Sequence, residues 1–212
     1  MDFPYWSAQP LTLNPYASTQ RLLQLEKALP YTEHWSAAAD FLNLLIEHCL
    51  ENKPGNILEC SSGLSTLVLA RCCQLNQCGL VFSLENDADF AADTRAHLQS
   101  LELADHAQVI HAPLRTYRLE RTDFEWYSTD SLPETSIDLL VIDGPPGYIQ
   151  PLSRYPALPL LAQRMKTNSM IFLDDAARDQ EKKIITLWQK KYPDLKHTYI
   201  DTERGCSVLQ YG

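Results

Sequence analysis

Residues 57–66 read ILECSSGLST. Two apolar residues, then Glu59 and Cys60, lead through small polar residues into a helix-forming stretch that begins near Ser65. This is the pattern of a buried strand turning into a helix, with the Ser65 hydroxyl placed to cap the helix. In α/β folds, ligands are held at the carboxyl end of such a strand. A dinucleotide loop needs three glycines there, so that backbone amides approach a pyrophosphate. Here Gly63 is the single glycine, Ser61 stands at the first glycine position, and Glu59 places a carboxylate where a pyrophosphate would be repelled. An unstrained loop then requires a negative φ at Ser61, because positive φ costs a non-glycine residue on the order of 1 kcal/mol or more.

Working outward, apolar strand-like runs fall at 56–60, 80–85, 108–112, 137–143, 169–174, 196–200 and 207–210. Helix-like segments come after the first run at 65–74, after the second at 87–101, after the fourth at 151–164 and after the fifth at 179–192. Upstream, 17–29 and 34–53 have helical spacing, with Leu22, Leu25 and Leu29 on one face of the former and Pro54-Gly55 ending the latter. Short apolar runs alternating with helices predict a mostly parallel sheet covered on both faces. The short 201–205 connection makes the last two runs an antiparallel hairpin. The expected fold is α/β, a Rossmann-like seven-stranded, mostly parallel sheet with an antiparallel last strand and helices on both faces. Residues 1–32 form an N-terminal arm and helix, and 33–212 the α/β domain, in a single domain overall.

The chain of 212 residues carries 27 acidic against 18 basic side chains, a formal charge of −9. Phosphate contacts dominate nucleic-acid affinity, and no basic stripe is present, so no nucleic-acid partner is expected. No apolar run could span a bilayer, and MDFPYWSAQP lacks the basic start and apolar stretch of a signal peptide. A cytoplasmic protein with no membrane partner is the expectation. The six cysteines form no C-x-x-C pair and have apolar neighbours, which reads as reduced core thiols rather than a zinc site.

The informative polar residues are those at which the apolar runs stop. The first ends in Glu59, the second in Glu85, the fourth in Asp143 and the fifth in Asp174-Asp175. One acid at a strand end can be mere capping. A converging set repels itself unless a cation or hydrogen-bond donors sit among its members. Glu85 follows the loop at the spacing of a carboxylate that accepts from ribose hydroxyls. A cofactor with an adenosine end and an ammonium-bearing end suits this set better than NAD, and S-adenosylmethionine has that character.

These motifs together resemble the class I S-adenosylmethionine-dependent methyltransferases, in particular the small O-methyltransferases similar to catechol and polysaccharide O-methyltransferases. Glu59-Cys60-Ser61-Ser62-Gly63-Leu64-Ser65-Thr66 is similar to the family's E-x-G-S-G-x-S-T loop, and "VFSLEND" carries the second-strand carboxylate. "DLLVIDGPPG" and "SMIFLDDAARDQEKKIITLW" resemble the fourth and fifth strands of that subgroup. The resemblance implies that Glu59 orients the methionine end and that Gly63 lets the backbone pass close to the cofactor. It further implies that Ser65-Thr66 opens the helix, with Ser61 and Asp143 also beside the cofactor, and that Glu85 grips the ribose.

Asp143, Asp174 and Asp175 are the expected catalytic residues, in one of two roles. Neighbouring carboxylates raise each other's pKa and leave one poised as a general base. Alternatively, the resemblance implies a divalent site for Mg²⁺ or another hard cation on the same three residues. Arg154, Tyr155 and Arg178 are candidates to hold the acceptor, a small molecule or sugar-like hydroxyl compound; the other reading of the two arginines is partnership with the nearby carboxylates. His111 is a possible contact, and Trp126-Tyr127 is expected to pack its loop. Two rivals stand beside the O-methyltransferase reading: a non-catalytic S-adenosylmethionine-binding or regulatory protein of the same fold, and an NAD-linked oxidoreductase, which the missing glycines oppose.

Overall fold

The computed structural model describes residues 7–8, 16–31 and 36–212. Most of the expected arm therefore lies outside the described residues; β1 (Ser7–Ala8) pairs antiparallel with β2 (Pro30–Tyr31). Helix α1 (Ala17–Leu22) stops short of the expected 17–29, because Gln24 takes a φ of 51° and turns the chain out of the helix. Helix α2 (Ala39–Asn52) begins later than expected, behind an extended Ala38, and ends at the left-handed Lys53 just before Pro54.

From there the chain alternates as its pattern predicts. Strand β3 (Asn56–Cys60) leads to α3 (Leu64–Asn76), β4 (Leu80–Glu85), α4 (Ala88–Ser100) and β5 (Ala107–His111). An unexpected antiparallel hairpin comes next, β6 (Leu114–Leu119) with β7 (Thr122–Tyr127). Its sequence, LRTYRLERTDFEWY, puts Tyr117, Leu119, Phe124 and Trp126 on one face and Arg118, Asp123 and Glu125 on the other, but Arg115 joins the apolar face and the alternation is short on each strand. Then come β8 (Ile137–Ile142), α5 (Ala157–Leu161), β9 (Met165–Leu173), α6 (Asp179–Lys191), β10 (Lys196–Ile200) and β11 (Cys206–Gln210). The expected 151–164 helix shrinks to α5 and a 3₁₀ turn at Ala162–Arg164, because Leu152 at φ 57° breaks the run.

The main sheet runs β10-β11-β9-β8-β3-β4-β5, with β11 antiparallel to both of its neighbours and the ladders among β9, β8, β3, β4 and β5 parallel. From β3 the chain steps outward to β4 and β5, then returns to β8 on the other side of β3. Strand order reverses between β3 and β8, and a crevice opens there at the carboxyl ends.

The twofold alternation of a strand divides its side chains between two cores. Ile57, Val81, Val109, Leu139, Val141 and Phe172 pack with α2, α3 and α4, and with Tyr16 and Leu23 at the ends of α1. Leu58, Phe82, Ile110, Leu140, Ile142 and Ile171 face the other way, toward the hairpin, α5 and α6. Each fully buried aliphatic contributes about 1.5–3 kcal/mol of transfer free energy. Trp188 is fully buried in the second core, and its indole N–H donates to the Tyr155 carbonyl at 2.9 Å. All six cysteines are free thiols; five are buried as expected, and Cys78 is exposed. Among the described residues, no helix is long and apolar enough to cross a membrane.

Candidate active site

The loop after β3 departs from expectation at Ser61, whose φ is 100° rather than negative. Two bonds hold it there: its N–H donates to the Leu84 carbonyl at 2.9 Å, and its carbonyl accepts from the Ser83 hydroxyl at 2.7 Å. The β3–β4 ladder thus continues into the loop and imposes the strain. Gly144, after β8, packs against the same loop. A side chain there would collide with the Tyr127 hydroxyl and lie 3.0 Å from the Ser61 Cβ. We expect Ser61→Gly to raise stability by up to about 1 kcal/mol, since relief of about 1–2 kcal/mol is partly offset by glycine's larger unfolded-state entropy. Chemical denaturation measures it, and a loss of stability would show that the two bonds, not the strain, dominate.

The parity of β3 also decides where Glu59 goes. It shares the face of Ile57 and is fully buried beneath the start of α3. Its Oε2 accepts from the Thr66 hydroxyl at 2.6 Å and lies 2.6 Å from the Ser83 hydroxyl, whose one proton it shares with the Ser61 carbonyl, while its buried Oε1 has no partner. Burial pushes its pKa up to about 7, against the opposing pull of the Ser65, Ser83 and Thr66 hydroxyls, and the charge of nearby Asp143 pushes the same way as burial. Ser65 is not the helix cap. Gly63 takes that place, its N–H donating to Thr66 Oγ1 at 2.9 Å. Glu59, Thr66 and Ser83 therefore tie strand, helix and loop into one polar knot.

Glu85 ends the neighbouring strand and is also buried. Its Oε2 accepts from the N–H and hydroxyl of Ser62 at 3.0 and 3.1 Å, and its Oε1 from the Asp87 N–H at 3.0 Å. Burial raises its pKa, and these donors oppose the rise. Asp87 caps α4, accepting from the Asp89 and Phe90 N–H groups. Above Glu85 lies a cleft of about 230 Å³, lined also by Ser61, Ser62, Phe90, Pro146 and Tyr148. Its polar floor and aromatic walls suit a flat ring joined to a hydroxyl-bearing group. Phe90 and Tyr148 escaped the sequence reading because nothing in their local pattern says that α4 and the loop after β8 face one cleft.

At the other side of the crevice, β8 and β9 are parallel neighbours with Ile142 opposite Leu173, so Asp143 and Asp174 emerge side by side. Asp175, at φ 57°, turns back toward them. All three can present one oxygen each within 4.8 Å of one another, the separation a shared cation requires. The guanidinium of Arg154 is already among them. Its Nη2 lies 2.7 Å from Asp175 Oδ2 and 3.1 Å from Asp143 Oδ1, and its Nη1 donates to the Asp174 carbonyl at 2.8 Å. The half-exposed Arg178 adds a bond to Asp175 Oδ2 at 2.9 Å. Both arginines are thus partnered with the carboxylates, the second of the two readings their sequence allowed. Burial pushes the Asp143 carboxyl above its ordinary range against the pull of Arg154. Asp174, with neither oxygen partnered, is pushed up by burial and by Asp143 and Asp175.

Tyr155 corrects the expectation of an acceptor contact. It is buried in the second core, its ring 5.4 Å from that of Phe124. Trp126 and Tyr127 are packing residues, but they end strand β7 rather than sit in a loop, buried in the second core and packed edge to face at 5.4 Å. His111 is exposed at the end of β5, in register with Glu85.

A family described as "Methyltransferase domain" matches residues 58–176, the span from β3 to just past Asp175. Among solved structures, an O-methyltransferase from Bacillus cereus in complex with S-adenosylhomocysteine is 18% identical, with 92% of this chain and 91% of that chain covered at a TM-score of 0.64. A Podospora anserina methyltransferase bound to S-adenosylhomocysteine is 14% identical over 97% and 90% of the two chains, with a TM-score of 0.67. An O-methyltransferase of Streptomyces achromogenes involved in tomaymycin synthesis, in complex with S-adenosylmethionine, is 14% identical over 96% and 91%, with a TM-score of 0.63. At these identities the likeness is one of fold. No curated protein matches in sequence.

Proposed function

Because the chain belongs to the methyltransferase-domain family, we propose that its crevice holds S-adenosylmethionine and that a hydroxyl of a small-molecule or sugar-like acceptor takes the methyl group beside Asp143. One observation carries this reading: two buried carboxylates, Glu59 and Glu85, flank a single loop that walls an aromatic-sided cleft. A carboxylate has about four acceptor sites. Glu85 accepts three protein bonds and keeps capacity for a ribose hydroxyl. Glu59 is fully buried behind the loop and does not wall the cleft, but its Oε1 has no protein partner, and on this reading that oxygen receives the ammonium of the methionine end.

Bound S-adenosylmethionine would supply a methyl group activated on a sulfonium. The chain's own residues align the acceptor and remove its proton. Asp143 is the least enclosed of the three aspartates, its side chain 16% exposed where that of Asp175 is 4%. Its raised pKa brings it toward the range in which a carboxylate works as a base at neutral pH. It takes the hydroxyl proton as the oxygen attacks, while Arg154 fixes its orientation. Arg178, half-exposed and tied to Asp175, stands at the side open to an acceptor.

Calorimetry with S-adenosylmethionine, S-adenosylhomocysteine and NAD tests the cofactor. Heat is expected with the first two and none with NAD, and Glu85→Ala is expected to weaken binding at least tenfold. Absence of heat with both sulfur compounds would sink the reading.

A further inference from the structure

We propose that Arg154 is the resident cation of the aspartate corner, and that this site works without a divalent metal ion. The inference rests on the methyl-transfer reading of the corner and deepens it. Three acids within 4.8 Å of one another invite a cation, and that invitation is answered from within the chain. A single atom, Arg154 Nη2, bridges Asp143 and Asp175, two of the three would-be ligands. The opposite edge of the guanidinium faces Glu181, with Nε 3.9 Å from Oε1. The arginine is therefore enclosed by acids on both sides and bonded to main-chain oxygens of Asp143 and Asp174 as well. A fork of fixed geometry binds carboxylates in this way, which a flexible ammonium does not reproduce.

The case for a metal rests on the oxygens left over: both of Asp174 and Oδ1 of Asp175 are buried without partners, and Oδ2 of the less enclosed Asp143 takes no bond from Arg154. They do not make an adequate site. Mg²⁺ demands near-octahedral coordination at about 2.0–2.1 Å and keeps several of its waters. Here Asp174 is fully buried, Asp175 and Arg154 are 3% exposed, and the space beside them is filled by the guanidinium. An ion on these oxygens would have no room for water and would sit against a positive charge in a low-dielectric setting. Arg154 thus does what an ion would do for Asp143, fixing its direction and compensating its charge. It is a positioning residue and does not touch the acceptor.

The test uses the full chain and Mn²⁺ as the probe. Paramagnetic-resonance titration is expected to show no uptake by the wild type up to about 1 mM, the weak end of cation sites, with or without S-adenosylhomocysteine. Its melting temperature is expected to be the same in Mg²⁺ and in EDTA. Arg154→Gln removes the cation and keeps the aspartates, and it is expected to gain a bound Mn²⁺ signal and a melting temperature that rises with Mn²⁺. Stoichiometric uptake by the wild type, lost in Asp174→Asn, would overturn the proposal; should Arg154→Gln not fold, the wild-type titration decides by itself. S-adenosylhomocysteine calorimetry on the same samples separates the two readings, since absent binding there defeats the cofactor reading whatever Mn²⁺ does.

Discussion

Arg154→Leu is expected to lower folding stability by about 3–5 kcal/mol at neutral pH, the cost of removing one partner from a buried ion pair. The leucine matches much of the volume but leaves Asp143, Asp174, Asp175 and Glu181 facing one another, with the half-exposed Arg178 and the charge of Arg204 to compensate in part. The deficit has a pH signature. In the variant Asp143, Asp174 and Glu181, whose folded pKa values already lie above their unfolded values, are raised further. Each therefore binds more protons in the folded state than in the unfolded state, and stability falls as pH rises between the two pKa values. Urea denaturation of wild type and variant at pH 5 and pH 8 checks this, with a markedly smaller difference expected at pH 5. An equal loss at both would mean that Arg154 matters for packing rather than for charge. Arg154→Lys keeps a cation but not the fork, and it is expected to fall between the two.

Cofactor affinity is expected to weaken about tenfold between pH 8 and pH 6, with Glu59 as the group responsible. Its pKa is held near 7 by burial, so it is mostly ionised at the higher pH and mostly protonated at the lower. Only the ionised form can receive an ammonium group by charge, and the apparent affinity scales with the fraction competent to bind. Glu59→Gln is expected to bind at least tenfold more weakly at pH 8 and to lose the pH dependence over this range. Calorimetry in buffers of different ionisation enthalpy adds a second readout, because binding at pH 7 should release a proton from Glu59. If the wild type shows a flat profile, Glu59 serves the loop alone, through Thr66 and Ser83. The apo protein carries the converse effect. A carboxyl raised from 4.5 to about 7 makes folding less favourable as pH climbs through that window, so the free protein should melt higher at its acidic end.

Much of the fold and part of the site are legible in the sequence. The run from Asn56 to Cys60, the alternation of apolar runs with helices and the terminal hairpin come from local periodicity, and they place all seven strands of the main sheet. Glu59, Glu85, Asp143 and Asp174 are visible because each ends an apolar run, and in a parallel sheet those ends share an edge. Legibility fails where local pattern and tertiary demand part company. The β6–β7 hairpin alternates over only a few residues per strand, with Arg115 on its apolar face, so its period-two signal is weak. Leu152 and Gln24 turn the chain out of segments with good helical spacing. Tyr155 sits next to an arginine of the site, yet its ring goes to the core, because successive residues of a turn point in different directions.

By itself, then, the sequence determined an α/β sheet with acids gathered along its carboxyl edge, since burial patterns and strand termini are local properties. Only the tertiary structure decided what those acids do for one another. The positive φ of Ser61 is imposed by bonds to Leu84 and Ser83, on a strand that ILECSSGLST does not contain. The guanidinium of Arg154 reaches aspartates 11 and 21 residues away in the chain. Strain and charge compensation depend on register between strands and on which face each side chain leaves, and these exist only once the sheet has formed.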